Sequence, residues 1–217
     1  MLTRDKFLRT CWNQYVICER EFIGTLEYVD LRKDNYKTCS NRIALQLIAA
    51  CTLIDSTARE LYSLPQNASL TEIAKSMNGD SLFSPSMSLR VRLSSDANCT
   101  ISPWASLGNV AGVSKPDWWD AYNGLKHDRF NNEERGTLQN LLNALGGLYI
   151  INMIFAKTIG DHWYTASGKV PSDDSIDVPN DVSRVFELEH WSTRDQVVGY
   201  GQYSCSQDDM KELLGRP

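Results

Sequence analysis

Between Leu138 and Ala156 apolar side chains return at helical steps, at Leu138, Leu141, Leu142, Leu145, Leu148, Tyr149, Ile151 and Phe155. That spacing lays a broad apolar face along one helix, which has to be buried against other elements. A second segment, IALQLIAACTLI (residues 43–54), is apolar nearly all round and predicts a central helix. Two such helices commit the chain to a mainly α class. Gln139, Asn140, Asn143 and Asn152 interrupt the first segment, so a buried bundle helix fits it better than a membrane span. Asn152 falls within the apolar face and needs a hydrogen-bond partner there.

The remaining elements follow from local signals. Leu8, Cys11, Tyr15, Cys18, Phe22, Leu26 and Val29 form one stripe and predict a helix from about Thr3 to Tyr28. Glu19, Glu21 and Glu27 on it read as a solvated face. Ser40 reads as the N-cap of a helix over Asn41 to Tyr62. Ser69-Leu70-Thr71-Glu72 matches a capping box and opens a short third helix, with Leu70, Ile73, Ala74 and Met77 inward. Met87, Leu89, Val91 and Leu93 alternate with Ser88, Arg90 and Arg92, and CTISPW beyond the turn SSDAN supplies a partner strand. Pro116 marks the first turn of a further helix that ends near Asn131-Asn132. The next helix spans about Thr137 to Thr158, with Gly146-Gly147 admitting a closely packed neighbouring helix. The chain turns irregular after Gly160, with short strands in SRVFELE and QVVGYGQYS. The expected fold is an antiparallel helical bundle with an inserted β-hairpin near 85–104 and an irregular, partly β C-terminal segment. Residues 1–160 form the helical domain, 161–217 an extension packed on it, and 207–217 a mobile tail.

Composition narrows the function. A formal net charge of -5 and a pI near 5.2 argue against a broad surface for duplex DNA, which depends on neutralising phosphates. None of the six cysteines forms a C-x-x-C pair, and Cys11, Cys18 and Cys51 lie in apolar helical stretches, which suits a reducing compartment. The start MLTRDKF is unlike a signal peptide, so the expected location is cytoplasmic, with no membrane partner. His127, His162 and His190 are far apart in sequence and the carboxylates are scattered, so neither a metal site nor a cofactor is expected.

The segment WWDAYNGLKHDR, Trp118 to Arg129, carries the densest chemistry. On a helix advancing roughly 100 degrees per residue, Trp118, Tyr122, Leu125 and Arg129 share one face. Trp119, Asp120, Asn123, Lys126 and His127 gather on the next, with Trp119, Asn123 and His127 at steps of four. An imidazole is suited to proton transfer near neutral pH, Lys126 and Arg129 to phosphate, and Trp119 and Tyr122 to stacking on a base. Packing accounts equally well for some of these residues. Tandem tryptophans followed by a tyrosine at helical spacing are most often core, a lone helical histidine is more often structural, and Asn123 can brace a loop. The core reading is preferred for Trp118, Tyr122 and Leu125, and the two readings are even for Asn123, Lys126 and His127.

The order YN-x-x-KH-x-R on a helix, followed by a long apolar helix, resembles the HEPN superfamily of helical domains found in toxin–antitoxin and antiphage systems. The preceding helices fit the resemblance: a long first helix, then a Ser-capped apolar helix ending in Asp55 and Arg59. The likeness spans Thr3 to Thr158. It implies a metal-independent ribonuclease acting as a homodimer with the two motifs facing each other, and a defence protein or antitoxin as partner. Carried over by position, His127 is the family histidine and Asn123 the polar residue after the family arginine, whose place is taken by Tyr122. A phenol has neither the charge nor the fork of a guanidinium. Two functional readings therefore stand. In one, His127 moves a proton while the 2′-OH of single-stranded RNA attacks its phosphate, Lys126 or Arg129 stabilises the developing charge, and Asn123 orients the group. In the other, an inactive relative binds RNA, a nucleotide or a protein. A helical scaffold in which the motif only joins elements is a third.

Overall fold

The computed structural model describes residues 2–107, 114–168 and 183–189. It is mainly α with a small antiparallel sheet. A short α1 (Arg4–Phe7) runs through a π-helical turn at Leu8–Trp12 into α2 (Asn13–Leu26). The expected first helix is thus present but carries a wide turn near its start. Ser40 caps α3 (Asn41–Leu61), its hydroxyl accepting from Ile43 N at 3.1 Å. Ser69 and Glu72 complete the capping box that opens α4 (Leu70–Asn78). Two further α-helices among the described residues are α5 (Asp117–His127) and α6 (Leu138–Ala166).

α3 and α6 are the principal packed pair, and their inward residues Ile43, Leu47, Ala50, Ile54, Leu141, Leu145, Leu148 and Ile151 are fully or almost fully buried. The stretch Leu138–His162 is long and apolar enough to cross a membrane, but 89% of its most apolar window is buried inside the fold. α6 continues past Gly160 to Ala166, where the sequence predicts irregular chain. Asn152 donates to Leu148 O at 2.9 Å, and its Oδ1 has no partner among the described residues.

The inserted hairpin is β1 (Leu89–Val91) and β2 (Thr100–Ile101), and β3 (Phe186–Leu188) pairs antiparallel along the other edge of β1, giving the order β2-β1-β3. The SRVFELE strand is therefore present, as the third member of this sheet. Gly146 and Gly147 face this insertion rather than another helix. A Cβ on Gly146 would meet Leu89, Ile101 and Pro103 at 3.0 Å, and one on Gly147 would meet Trp104 at 3.3 Å.

One reading of the first helix is overturned. Glu19 is buried, not solvated, whereas Glu21 and Glu27 are exposed. Glu19 Oε1 lies 2.8 Å from the Tyr15 hydroxyl and accepts from Ser183 Oγ and from Val185 N. The buried carboxylate is tolerated because these donors surround it, and they tie residues 183–186 to α2. QVVGYGQYS, His190-Trp191, Asp173-Asp174 and the tail lie outside the described residues.

Candidate functional site

α5 starts where Pro116 holds an extended backbone (φ -58°, ψ 142°), with Asp117 and Asp120 in its first turn and Lys126 and His127 in its last. These charges suit the two ends of the helix dipole. Trp118, Trp119, Ala121, Tyr122 and Leu125 are buried. Trp118 donates its indole N–H to Pro103 O at 2.8 Å. A chain of ring contacts runs from Trp104 to Trp118 (5.0 Å), to Trp119 (5.7 Å) and to Tyr122 (5.3 Å), and Lys126 Nζ covers the Tyr122 ring. Aromatic packing therefore fixes the inner face of α5.

The outer margin of this packing opens into a cleft of about 270 Å³ between α3, the start of α4 and α5. From α5 it is lined by Trp119, Tyr122, Asn123 and Lys126, with Lys115 just ahead of the helix. Asp55 and Arg59 form the α3 wall, and Ala68 to Thr71 form the third side. Arg59 Nη1 pairs with Asp55 Oδ2 at 2.8 Å, while its Nε and Nη2 donate to Ala68 O at 3.3 and 2.9 Å. Burial pushes the Asp55 carboxyl up, and the nearby Arg59 and Lys126 charges pull it back down. The lining holds three cations, Arg59, Lys115 and Lys126, against one carboxylate, Asp55. This positive local balance in an acidic chain suits an anionic ligand.

The residues singled out by sequence divide around this cleft. Trp119, Tyr122, Asn123 and Lys126 line it together. Asp120 is exposed and does not line it. His127, the last residue of α5, is exposed and lies outside the lining, and its side chain makes no hydrogen bond among the described residues. Arg129 does not share a helical face with Trp118, Tyr122 and Leu125, because α5 stops before it. It sits in a 3₁₀ turn and donates to Asn41 Oδ1 at 3.0 Å.

The early stop of α5 has a local cause. Asp128 leaves the helical region (φ -149°, ψ 70°), and Asn131 and Asn132 fold back onto it, Asn132 Nδ2 reaching Asp128 O at 2.7 Å. Gly124 leaves room for the Asn132 side chain, since a Cβ there would stand 2.9 Å from Asn132 Oδ1. The expected end at Asn131-Asn132 missed these competing side-chain bonds.

Arg59, Asp55, Lys115 and the start of α4 carry no site role in the sequence reading. The step of four between Asp55 and Arg59 near the end of α3, the same pair named in the resemblance, is a sequence signal for the α3 wall. Among the described residues no group of three His, Cys, Asp or Glu side chains gathers as metal ligands. A larger cavity of about 480 Å³ lies beside the sheet, but its cations Arg90 and Arg92 are matched by Asp96 and Glu187. No protein-family model, curated protein or solved structure matches this chain.

Proposed function

We propose that this chain is a HEPN-like domain that binds a phosphate-bearing ligand, RNA or a nucleotide, in the cleft beside α5. The observation that carries the reading is the grouping of Arg59, Lys115 and Lys126 around a single carboxylate, with the half-buried Asn123 amide between them. The placement of His127 outside this cleft favours binding over cleavage within one copy. The resemblance supports the rest: a cytoplasmic protein of antiphage defence or a toxin–antitoxin pair, acting as a homodimer, with an antitoxin or another defence protein as its partner.

A ribonuclease is the second reading, favoured by a different observation. The His127 side chain is solvent-facing with no hydrogen-bond partner among the described residues, and Phe130, three residues on, is 96% exposed. Two copies meeting over these residues would bring two His127 imidazoles to one phosphate. Gel-shift and cleavage assays on short single-stranded RNA, with light scattering for mass, separate the readings. The binding reading expects Lys126→Ala to weaken binding at least tenfold, His127→Ala to bind like the wild type, and no cleavage. Cleavage abolished by His127→Ala in a dimer would replace it with the second reading. A monomer that binds neither RNA nor any nucleotide would sink both.

A further inference from the structure

We infer that the cleft is a mononucleotide site in which Arg59 of α3 is the phosphate-binding fork; this rests on the binding reading above. Arg59 is built for the role by its fixed partners. Asp55 Oδ2 stands against Nη1 as an ion pair, and the Ala68 carbonyl accepts from Nε and Nη2. Each terminal nitrogen therefore keeps an N–H that no hydrogen bond to a described residue uses, and these are donors for phosphate oxygens. Because those partners hold the side chain half-buried, little rotamer freedom is lost when a ligand arrives.

The other walls match the rest of a nucleotide. Lys115 stands just ahead of α5 and Lys126 in its last turn, with Arg59 on the facing wall. They add long-range attraction for an anion. Trp119 and Tyr122, both largely buried, line the cleft, and the Asn123 side chain has both an amide donor and an acceptor that bond no described residue. That combination reads the edge of a base against an aromatic floor. A volume near 270 Å³ is at the lower limit of ligand pockets, roughly 300 Å³, so the cleft takes one nucleotide rather than a run of strand. The geometry also answers the vacancy at Tyr122. The guanidinium missing from α5 is supplied across the cleft by α3, and Tyr122 instead carries Lys126 over its ring.

Calorimetric titration of the full chain with the four ribonucleoside 5′-monophosphates, the matching nucleosides and inorganic phosphate tests this directly. At least one monophosphate is expected to bind tenfold or more tightly than its nucleoside and than inorganic phosphate. Arg59→Lys keeps the charge and loses the fork, so it should weaken that binding at least tenfold with an unchanged far-UV circular dichroism spectrum. The exposed Lys115→Ala should weaken it a few-fold and guards against a folding defect at Arg59. Nucleosides binding as well as their monophosphates would overturn the inference. So would Arg59→Lys and Lys115→Ala binding like the wild type. An RNA oligomer that needs Lys126 but ignores Arg59→Lys would overturn it too, while leaving the broader binding reading in place.

Discussion

Lys126 Nζ stands 5.3 Å from the centroid of the Tyr122 ring, one turn along the same helix. The ring is buried by Trp119 and the core, so it serves as a fixed floor for a mobile ammonium. The Tyr122 hydroxyl bonds no described residue. Tyr122→Phe should therefore leave stability within about 0.5 kcal/mol of the wild type, whereas Tyr122→Ala should cost about 3–5 kcal/mol through the lost ring. Urea denaturation measures both. A large cost for Phe would mean that the hydroxyl, rather than the ring, does the work.

The Asp55 carboxyl responds to pH in a defined direction. Burial raises it above an ordinary aspartate, with Arg59 and Lys126 opposing. From the ordinary aspartate value up to the raised one, the folded chain holds more protons than the unfolded chain. Its contribution therefore favours folding on the acid side and is lost as pH rises through that interval. A carbon-detected NMR titration should place the Asp55 midpoint above the ordinary value. Lys126→Met should move it higher still, because one of the two lowering charges is gone. A midpoint that falls in the variant would contradict the placement of Lys126 beside Asp55.

The helices were legible because their signals are local. Ser40, the Ser69–Glu72 box and the apolar steps of α3 and α6 each depend on residues within a few turns. The candidate site was only half legible for the same reason. Trp119, Tyr122, Asn123 and Lys126 share one helix, so periodicity groups them. Arg59 and the start of α4 join them through tertiary packing that no spacing encodes. His127 keeps its place one turn beyond Asn123 as the last residue of α5, but the walls of the cleft do not extend to it. Glu19 shows the opposite failure, since a carboxylate on a helix looks solvated until Ser183, far along the chain, arrives to bond it.

That bond makes a second stability prediction. Glu19 Oε1 gathers the Tyr15 hydroxyl, the Ser183 hydroxyl and the Val185 amide, and all four residues are buried. Glu19→Ala removes the acceptor of the Ser183 hydroxyl, while the Tyr15 hydroxyl and the Val185 amide keep Ser183 Oγ, so the cost should be about 1–3 kcal/mol, that of one donor left unsatisfied. The loss should concentrate in β3, whose attachment to α2 runs through this cluster. Hydrogen exchange of Phe186 to Leu188 is expected to speed up more than that of Leu141 to Leu148 in α6. Uniform acceleration would instead mean that Glu19 supports the whole fold equally.

The chain between α5 and α6 makes the most exacting demand on a single residue. After the 3₁₀ turn at Glu133–Arg135, Gly136 passes over the first turn of α3, where a Cβ would stand 2.7 Å from Ala44 Cβ. Just beyond it Thr137 bridges to Cys39, and Leu138 N donates to Thr38 O at 2.8 Å, so this stretch cannot easily lift away. Gly136→Ala should therefore destabilise by about 1–3 kcal/mol, as overpacking does. Ala44→Gly removes the opposing methyl and alone should cost about 1 kcal/mol, the usual price of glycine in a helix. If the two methyls really collide, the double variant will be more stable than the sum of the single losses predicts. Strict additivity in a denaturation cycle would show that the chain relaxes here by another route, and that the path from α5 to α6 is not held by this contact.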